Sequence, residues 1–188
     1  MNAAPHLVLV GPMGAGKSTL GRALADRWGL PFVDLDRAIE AEAGLSIPAI
    51  FAAEGEPGFR RREREALAAA LAGAPSVIAT GGGAVLAAEN RAALRAHAFV
   101  VFLRIGVDEQ LQRLANDRER PLIAGGDREA VLRRLAEERA PLYAETADHA
   151  FPVDGTTPSE ALDGLTDLLR RIWPMPSSSP SSSSGVAP

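Results

Sequence analysis

Cysteine is absent from this 188-residue chain, and of its 20 lysine and arginine residues only Lys17 is a lysine. The first absence excludes a disulfide framework and any thiolate metal site. No apolar run approaches the ~20 residues that a membrane-spanning helix needs. The start, Met1-Asn2-Ala3-Ala4-Pro5-His6, has neither a basic region nor a signal-like apolar stretch. A cytoplasmic protein that does not enter membranes is therefore expected. Positive charge is not in excess either: the formal net charge of −4 gives no electrostatic case for a nucleic-acid partner. His6, His97 and His149 lack metal-ligand spacing and an acid/base partner, and read as ordinary residues. What the chain does have is 46% apolar residues and a length that suits one domain with a real core.

The single lysine falls in Gly11-Pro12-Met13-Gly14-Ala15-Gly16-Lys17-Ser18-Thr19, a match to the Walker A pattern G-x-x-x-x-G-K-[ST]. The apolar run Leu7–Val10 before it reads as a buried strand. Thr19–Trp28 after it carries apolar residues at helical spacing. Strand, glycine loop and helix together separate a phosphate-binding loop from a chance glycine turn. Glycines let backbone N–H groups converge on phosphate oxygens, and the new helix adds its positive end. Gly14, Ala15, Gly16, Lys17, Ser18 and Thr19 are thus the candidate phosphate ligands, with Lys17 a compact charge on the β- and γ-phosphates and Ser18 a ligand to Mg²⁺. A nucleoside triphosphate is the expected ligand.

Five short apolar runs, Leu7–Val10, Pro31–Leu35, Ser76–Thr80, Ala98–Ile105 and His149–Val153, alternate with helical segments. That alternation predicts an α/β fold: a five-stranded parallel sheet with helices on both faces. The long interval between the second and third runs predicts inserted helices at about 36–64. The glycine-bounded polar stretch at about 114–127 predicts a mobile lid. Thr157-Pro158-Ser159-Glu160 predicts a capping-box start for the last helix. The single domain is expected to end near residue 173, and the Pro/Ser-rich 174–188 to be disordered.

Phe32-Val33-Asp34-Leu35-Asp36 closes the second run with two carboxylates. Read as a strand, it puts both on one face at the sheet edge where α/β ligands bind. One would serve the metal and the other a substrate hydroxyl; the alternative is that Asp36 caps the helix that follows. Thr80-Gly81-Gly82-Gly83 after the third run allows close backbone approach to a ligand, or forms a tight turn. No aspartate ends that third run, so metal support would have to come from Asp34. Arg61, Arg62 and Arg64 read as solvated surface. Arg60, Arg120 and Arg139 stand in contexts that suit ligand contact.

Together GPMGAGKST, FVDLD, GEPGFRRRE, TGGGAV, RPLIAG and RAPLY resemble the shikimate kinase family in order and spacing, from Leu7 to about Trp173. The resemblance implies transfer of the ATP γ-phosphoryl group to the 3-hydroxyl of shikimate, within aromatic amino-acid biosynthesis, with Mg²⁺ as cofactor. It implies a P-loop core, a substrate-binding insert and a lid. By the same carry-over Asp36, Arg60, Arg139 and the Gly81–Gly83 triplet would hold shikimate. Lys17, Asp36 and Arg120 would be catalytic, and Ser18 and Asp34 would serve the metal. Arg113 and the Thr157-Pro158 turn would flank adenine, although Gly155 and Thr156 stand where some relatives have basic residues. A monomer is expected. Two other readings are a kinase for another polyol acid, such as gluconate, and a non-catalytic nucleotide switch. The first would not combine FVDLD, FRRRE and TGGGAV. The second has no reason to gather Asp36, Arg60 and Arg139 around a second pocket.

Overall fold

Leu7, Val8, Leu9 and Val10 have no exposed surface, as a strand covered on both faces requires. They belong to β1 (His6–Val10), the centre of a computed structural model that describes residues 6–115 and 127–173. Around it lie β2 (Phe32–Asp34), β3 (Val77–Ala79), β4 (Ala98–Arg104) and β5 (His149–Pro152), in the order β2-β3-β1-β4-β5. Every pairing is parallel. All five apolar runs are therefore strands of one doubly covered sheet. Among the described residues no helix is long and apolar enough to cross a membrane.

Side-chain alternation in β1 divides the core. Leu7 and Leu9 pack with Leu24 of α1 (Lys17–Trp28) and with Leu165 and Leu169 of α7 (Pro158–Ile172). Val8 and Val10 face the other way, among residues of α2 (Leu35–Ala43), α3 (Ile47–Leu71), α4 (Ala88–His97) and α6 (Arg128–Thr146). The short α5 (Val107–Arg113) leads out of β4 by way of Ile105 and Gly106. The predicted capping box is present: Thr157 accepts from the Glu160 amide while Glu160 accepts from the Thr157 amide.

The interval between β2 and β3 holds α2 and α3, and α3 is two helical pieces joined at Gly55, whose φ of 68° and ψ of −178° interrupt it. Pro57 follows the break, in the first turn of the resumed helix, where a missing N–H costs nothing. Phe51 and Phe59 stack across it at 4.7 Å. Most of the expected lid, with Arg120, and all of 174–188 lie outside the described residues.

Candidate active site

The carboxyl ends of β1, β2 and β3 converge on one edge of the sheet. From β1 the chain turns at Gly11, whose φ of 144° favours glycine and whose missing Cβ would stand 2.6 Å from the Leu103 carbonyl oxygen. Helix α1 then starts on Gly16 without a side-chain cap among the described residues, leaving the first-turn N–H groups to an anion. Lys17 Nζ donates to the carbonyls of Gly11 and Pro12, both at 2.8 Å, and so bridges the loop that precedes it. Ser18 and Thr19 are exposed in the first turn.

Asp34 and Asp36 are not two residues of one strand face. Strand β2 ends at Asp34, and Asp36 already lies in the first turn of α2. The cap also belongs to Asp34, whose Oδ1 accepts from the Arg37 amide at 3.4 Å, and not to Asp36. An aspartate with extended backbone directly before an apolar helical residue starts the helix at once, which the alternating pattern FVDLD conceals.

Asp36 reaches the glycine triplet that follows β3. A methyl group on Gly81 would stand 2.9 Å from Asp36 Oδ1 and 2.9 Å from Glu63 Oε1. One on Gly82 would lie 3.7 Å from Arg139 Nη1, and also 3.7 Å from the Gly11 carbonyl and the Met13 amide nitrogen. One on Gly83 would overlap the Arg60 guanidinium. The triplet is thus the floor on which Asp36, Arg60, Glu63 and Arg139 meet, and its middle member touches the phosphate loop. A side chain at Gly81 or Gly83 would push a charged group aside, whereas one at Gly82 would meet only ordinary contacts.

Arg60 Nη1 donates to Glu63 at 2.7 Å, and its Nε and Nη2 donate to Glu56 at 3.3 and 3.1 Å. Burial works against its charge, but the two carboxylates more than offset that and raise its pKa. Glu63 is 1% exposed; burial pushes its carboxyl up despite Arg60, and Asp36 adds repulsion. Its Oε1 has no partner among the described residues, and neither has Nε of Arg139, which is 6% exposed. Buried polar atoms left unmade at a sheet edge mark a place for a polar ligand.

Tyr143, one turn after Arg139 on α6, donates its hydroxyl to the Gly82 carbonyl and stacks on Phe102 at 5.0 Å. Burial pushes its pKa up to about 12, so it remains a neutral donor. Glu63 and Tyr143 are site residues that sequence reasoning missed. The available signal was spacing alone: Glu63 is i+3 from Arg60 and Tyr143 is i+4 from Arg139, each on the same helix face. Arg62 also differs from the expected solvated surface. It is half-buried and gives Nε and Nη2 to Glu54 across the Gly55 break.

On the far side of the loop, Arg113 donates to the carbonyls of Gly14 (3.3 Å), Val153 (2.7 Å) and Thr156 (3.4 Å). It ties the phosphate loop to the turn that leads into Pro158 and α7. Arg113 and Pro158 therefore border one region, next to the loop and away from the Arg60 cluster.

A family model for shikimate kinase matches residues 13–170. The chain belongs to the shikimate kinase family. The Stenotrophomonas maltophilia (strain R551-3) shikimate kinase is 53% identical over 173 residues, 92% of this chain and 96% of that one. The Xanthomonas campestris pv. campestris (strain 8004) shikimate kinase is 51% identical over 177 residues, 94% and 98% of the two chains. Among solved structures, shikimate kinase from Acinetobacter baumannii in complex with shikimate superposes with a TM-score of 0.85 at 42% identity, over 88% of this chain and 93% of that one. Shikimate kinase from Aquifex aeolicus gives 0.76 at 33% identity, over 88% and 96%. Membership makes this chain an ATP-dependent kinase with an alcohol acceptor, in the P-loop fold the sequence predicts.

Proposed function

We propose that the chain transfers the γ-phosphoryl group of ATP to the 3-hydroxyl of shikimate, in the cytoplasm and as a monomer, with the glycine triplet as the meeting point of its two substrate sites. The observation that carries this reading is Gly82. A Cβ there would stand 3.7 Å from the phosphate loop at Gly11 and Met13 and equally 3.7 Å from Arg139 Nη1, so a phosphate held by the loop and an acid held by the arginines become neighbours.

Phosphoryl transfer needs alignment and charge neutralisation more than covalent help. The loop amides from Gly14 to Thr19 and the Lys17 ammonium hold the phosphates. Arg60 and Arg139 take the shikimate carboxylate, because guanidinium forks match its two oxygens. Asp36 orients the attacking hydroxyl and accepts its proton. Arg113 and Pro158 flank the adenine. Arg120, from the lid, adds charge to the transferring group, and lid closure keeps water out.

Shikimate kinases work with a divalent metal, and here we assign Mg²⁺ to Ser18 and Asp34. A hydroxyl and a carboxylate are hard oxygen donors, and Mg²⁺ takes few protein ligands when phosphates supply the others. Among the described residues no group of three or more His, Cys, Asp or Glu side chains could hold a metal ion by itself. Held there, Mg²⁺ would supply positive charge to offset that of the phosphates.

A coupled ADP-release assay with and without shikimate tests the whole reading. Release should depend on shikimate and give shikimate 3-phosphate. Equal release without shikimate, or a preference for gluconate, would end it.

A further inference from the structure

Arg60 is held by two carboxylates of opposite character. Glu63 is 1% exposed and binds Nη1 at 2.7 Å; the Glu56 side chain is 57% exposed and binds Nε and Nη2 at longer range, 3.3 and 3.1 Å. The Nη1–Nη2 side abuts Gly83. The Phe59 ring lies 5.3 Å from the guanidinium carbon and limits its tilt. The Nε–Nη2 edge is then the one from which a fork can grip an incoming carboxylate, and Glu56 occupies it.

We propose that Glu56 is a stand-in carboxylate: it holds the Arg60 edge that the shikimate carboxylate takes, gives it up when shikimate enters, and so sets how strongly the site prefers an acidic ligand over a neutral one. The proposal rests on the reading of Arg60 as a carboxylate-binding residue. Exchange falls on Glu56 rather than Glu63 for two reasons. Pulling Glu63 off Arg60 strands a buried charge, which is costly, whereas an exposed pair is worth little and its carboxylate regains water. Glu56 also opens the helical piece that resumes after Gly55, where the helix dipole favours a negative charge with or without Arg60. A neutral ligand cannot replace the charge that Glu56 withdraws, so the contact works against it.

An ordinary i,i+4 helix pair predicts the opposite behaviour. In that case Glu56 steadies Arg60, and its removal weakens shikimate binding. The experiment uses the full chain and Glu56→Gln, which is conservative and exposed. Shikimate and its methyl ester are titrated by calorimetry, and KM is measured for shikimate and ATP. Exchange predicts that shikimate binds roughly two- to fivefold tighter, the range spanned by an exposed ion pair. The ester should gain at least as much, and KM for ATP should stay within about twofold. In an Arg60→Lys background, which keeps a cation beside Glu63 but has no second edge to contest, Glu56→Gln should change nothing. Unchanged or weaker shikimate binding by Glu56→Gln overturns the proposal, as does a gain that persists with Arg60→Lys, since that is repulsion through space. If Arg60→Lys alone leaves shikimate binding intact, the carboxylate site lies elsewhere and the underlying reading fails with it. If Arg60→Lys weakens binding and Glu56→Gln does not tighten it, only the exchange fails.

Discussion

The two ends of strand β1 treat polar atoms in opposite ways. At its start, His6 is 1% exposed; its Nδ1 meets the Ser76 hydroxyl at 3.0 Å and its Nε2 meets the Leu71 carbonyl at 3.1 Å. That pairing fits a neutral ring with the proton on Nε2, and burial lowers its pKa accordingly. Ring and hydroxyl are satisfied by the protein itself. At the other end Glu63 Oε1 and Arg139 Nε are buried without partners among the described residues, and three consecutive glycines keep side chains away from them. Lys17 there lies on carbonyls of its own loop. Such an open arrangement is costly unless a ligand completes it. One end therefore serves stability and the other serves binding, and substitutions should separate along that line: kinetic constants at one end, melting temperature at the other.

The largest effect is expected at Lys17. Lys17→Ala removes the ammonium aimed at the phosphates, and loss of one such group typically lowers turnover by about 10²–10³-fold. The melting temperature should shift by no more than about 2 °C, because a half-buried loop lysine builds little core. Lys17→Arg should fail largely too, since a planar fork does not suit a loop closed around a compact ammonium. Steady-state kinetics with thermal melts decides this. An arginine variant that keeps most of its turnover would refute the account of the loop.

Next come the arginines. Arg60→Lys or Arg139→Lys keeps the charge and loses the fork. An unmade charged hydrogen bond of roughly 1.5–3 kcal/mol then raises the shikimate KM about tenfold or more. The ATP KM should stay within about twofold, because neither arginine is assigned to the nucleotide. Gly83→Ala should act in the same direction from the opposite side, since its methyl group would displace the Arg60 guanidinium. A moderate rise of about threefold to tenfold in shikimate KM alone is expected, as a long arginine side chain shifts at modest cost. Equal damage to both substrates would make these groups structural and erase the distinction between the two ends.

This contrast also explains what could be read in the sequence. The five apolar runs fall on β1 to β5, and the Walker A pattern and the Thr157 capping box each appear where a short window places them. Such features are local, so the information needed to recognise them is contiguous. The glycine-triplet floor is not local. Tyr143 reaches Gly82 across 61 positions, and the importance of Glu63 appears only when α3 folds over the loop after β3. Asp34 and Asp36 were visible as a pair, but which of them caps α2 depends on where β2 stops, a one-residue question that alternation cannot answer. Arg62 was indistinguishable from its neighbours until the Gly55 break brought Glu54 within reach.

The smallest effect is expected at the closed end, and it should be purely one of stability. Ser76→Ala removes the hydroxyl beside His6 Nδ1. A buried hydrogen bond lost at about 1–2 kcal/mol, with each kcal/mol worth roughly 2–4 °C in a domain of this size, predicts a melting temperature roughly 2–8 °C lower at pH 7.5. The pH dependence follows from the direction of the His6 shift. Its folded pKa lies below the ordinary value, with burial as the main cause and repulsion from His97 a lesser one. The unfolded chain therefore takes up the proton first, so this contribution is present above about pH 6.5 and is lost as the pH falls from there through the lower folded pKa. Wild type should melt lower at pH 5.5 than at pH 7.5, and His6→Gln should flatten that difference, although it melts lower overall. Shikimate and ATP KM should stay within about twofold in both variants. A Ser76→Ala enzyme with an unchanged melting temperature and an altered shikimate KM would mean that the two ends of β1 act as one unit, and the division of labour drawn from their hydrogen bonding would fail.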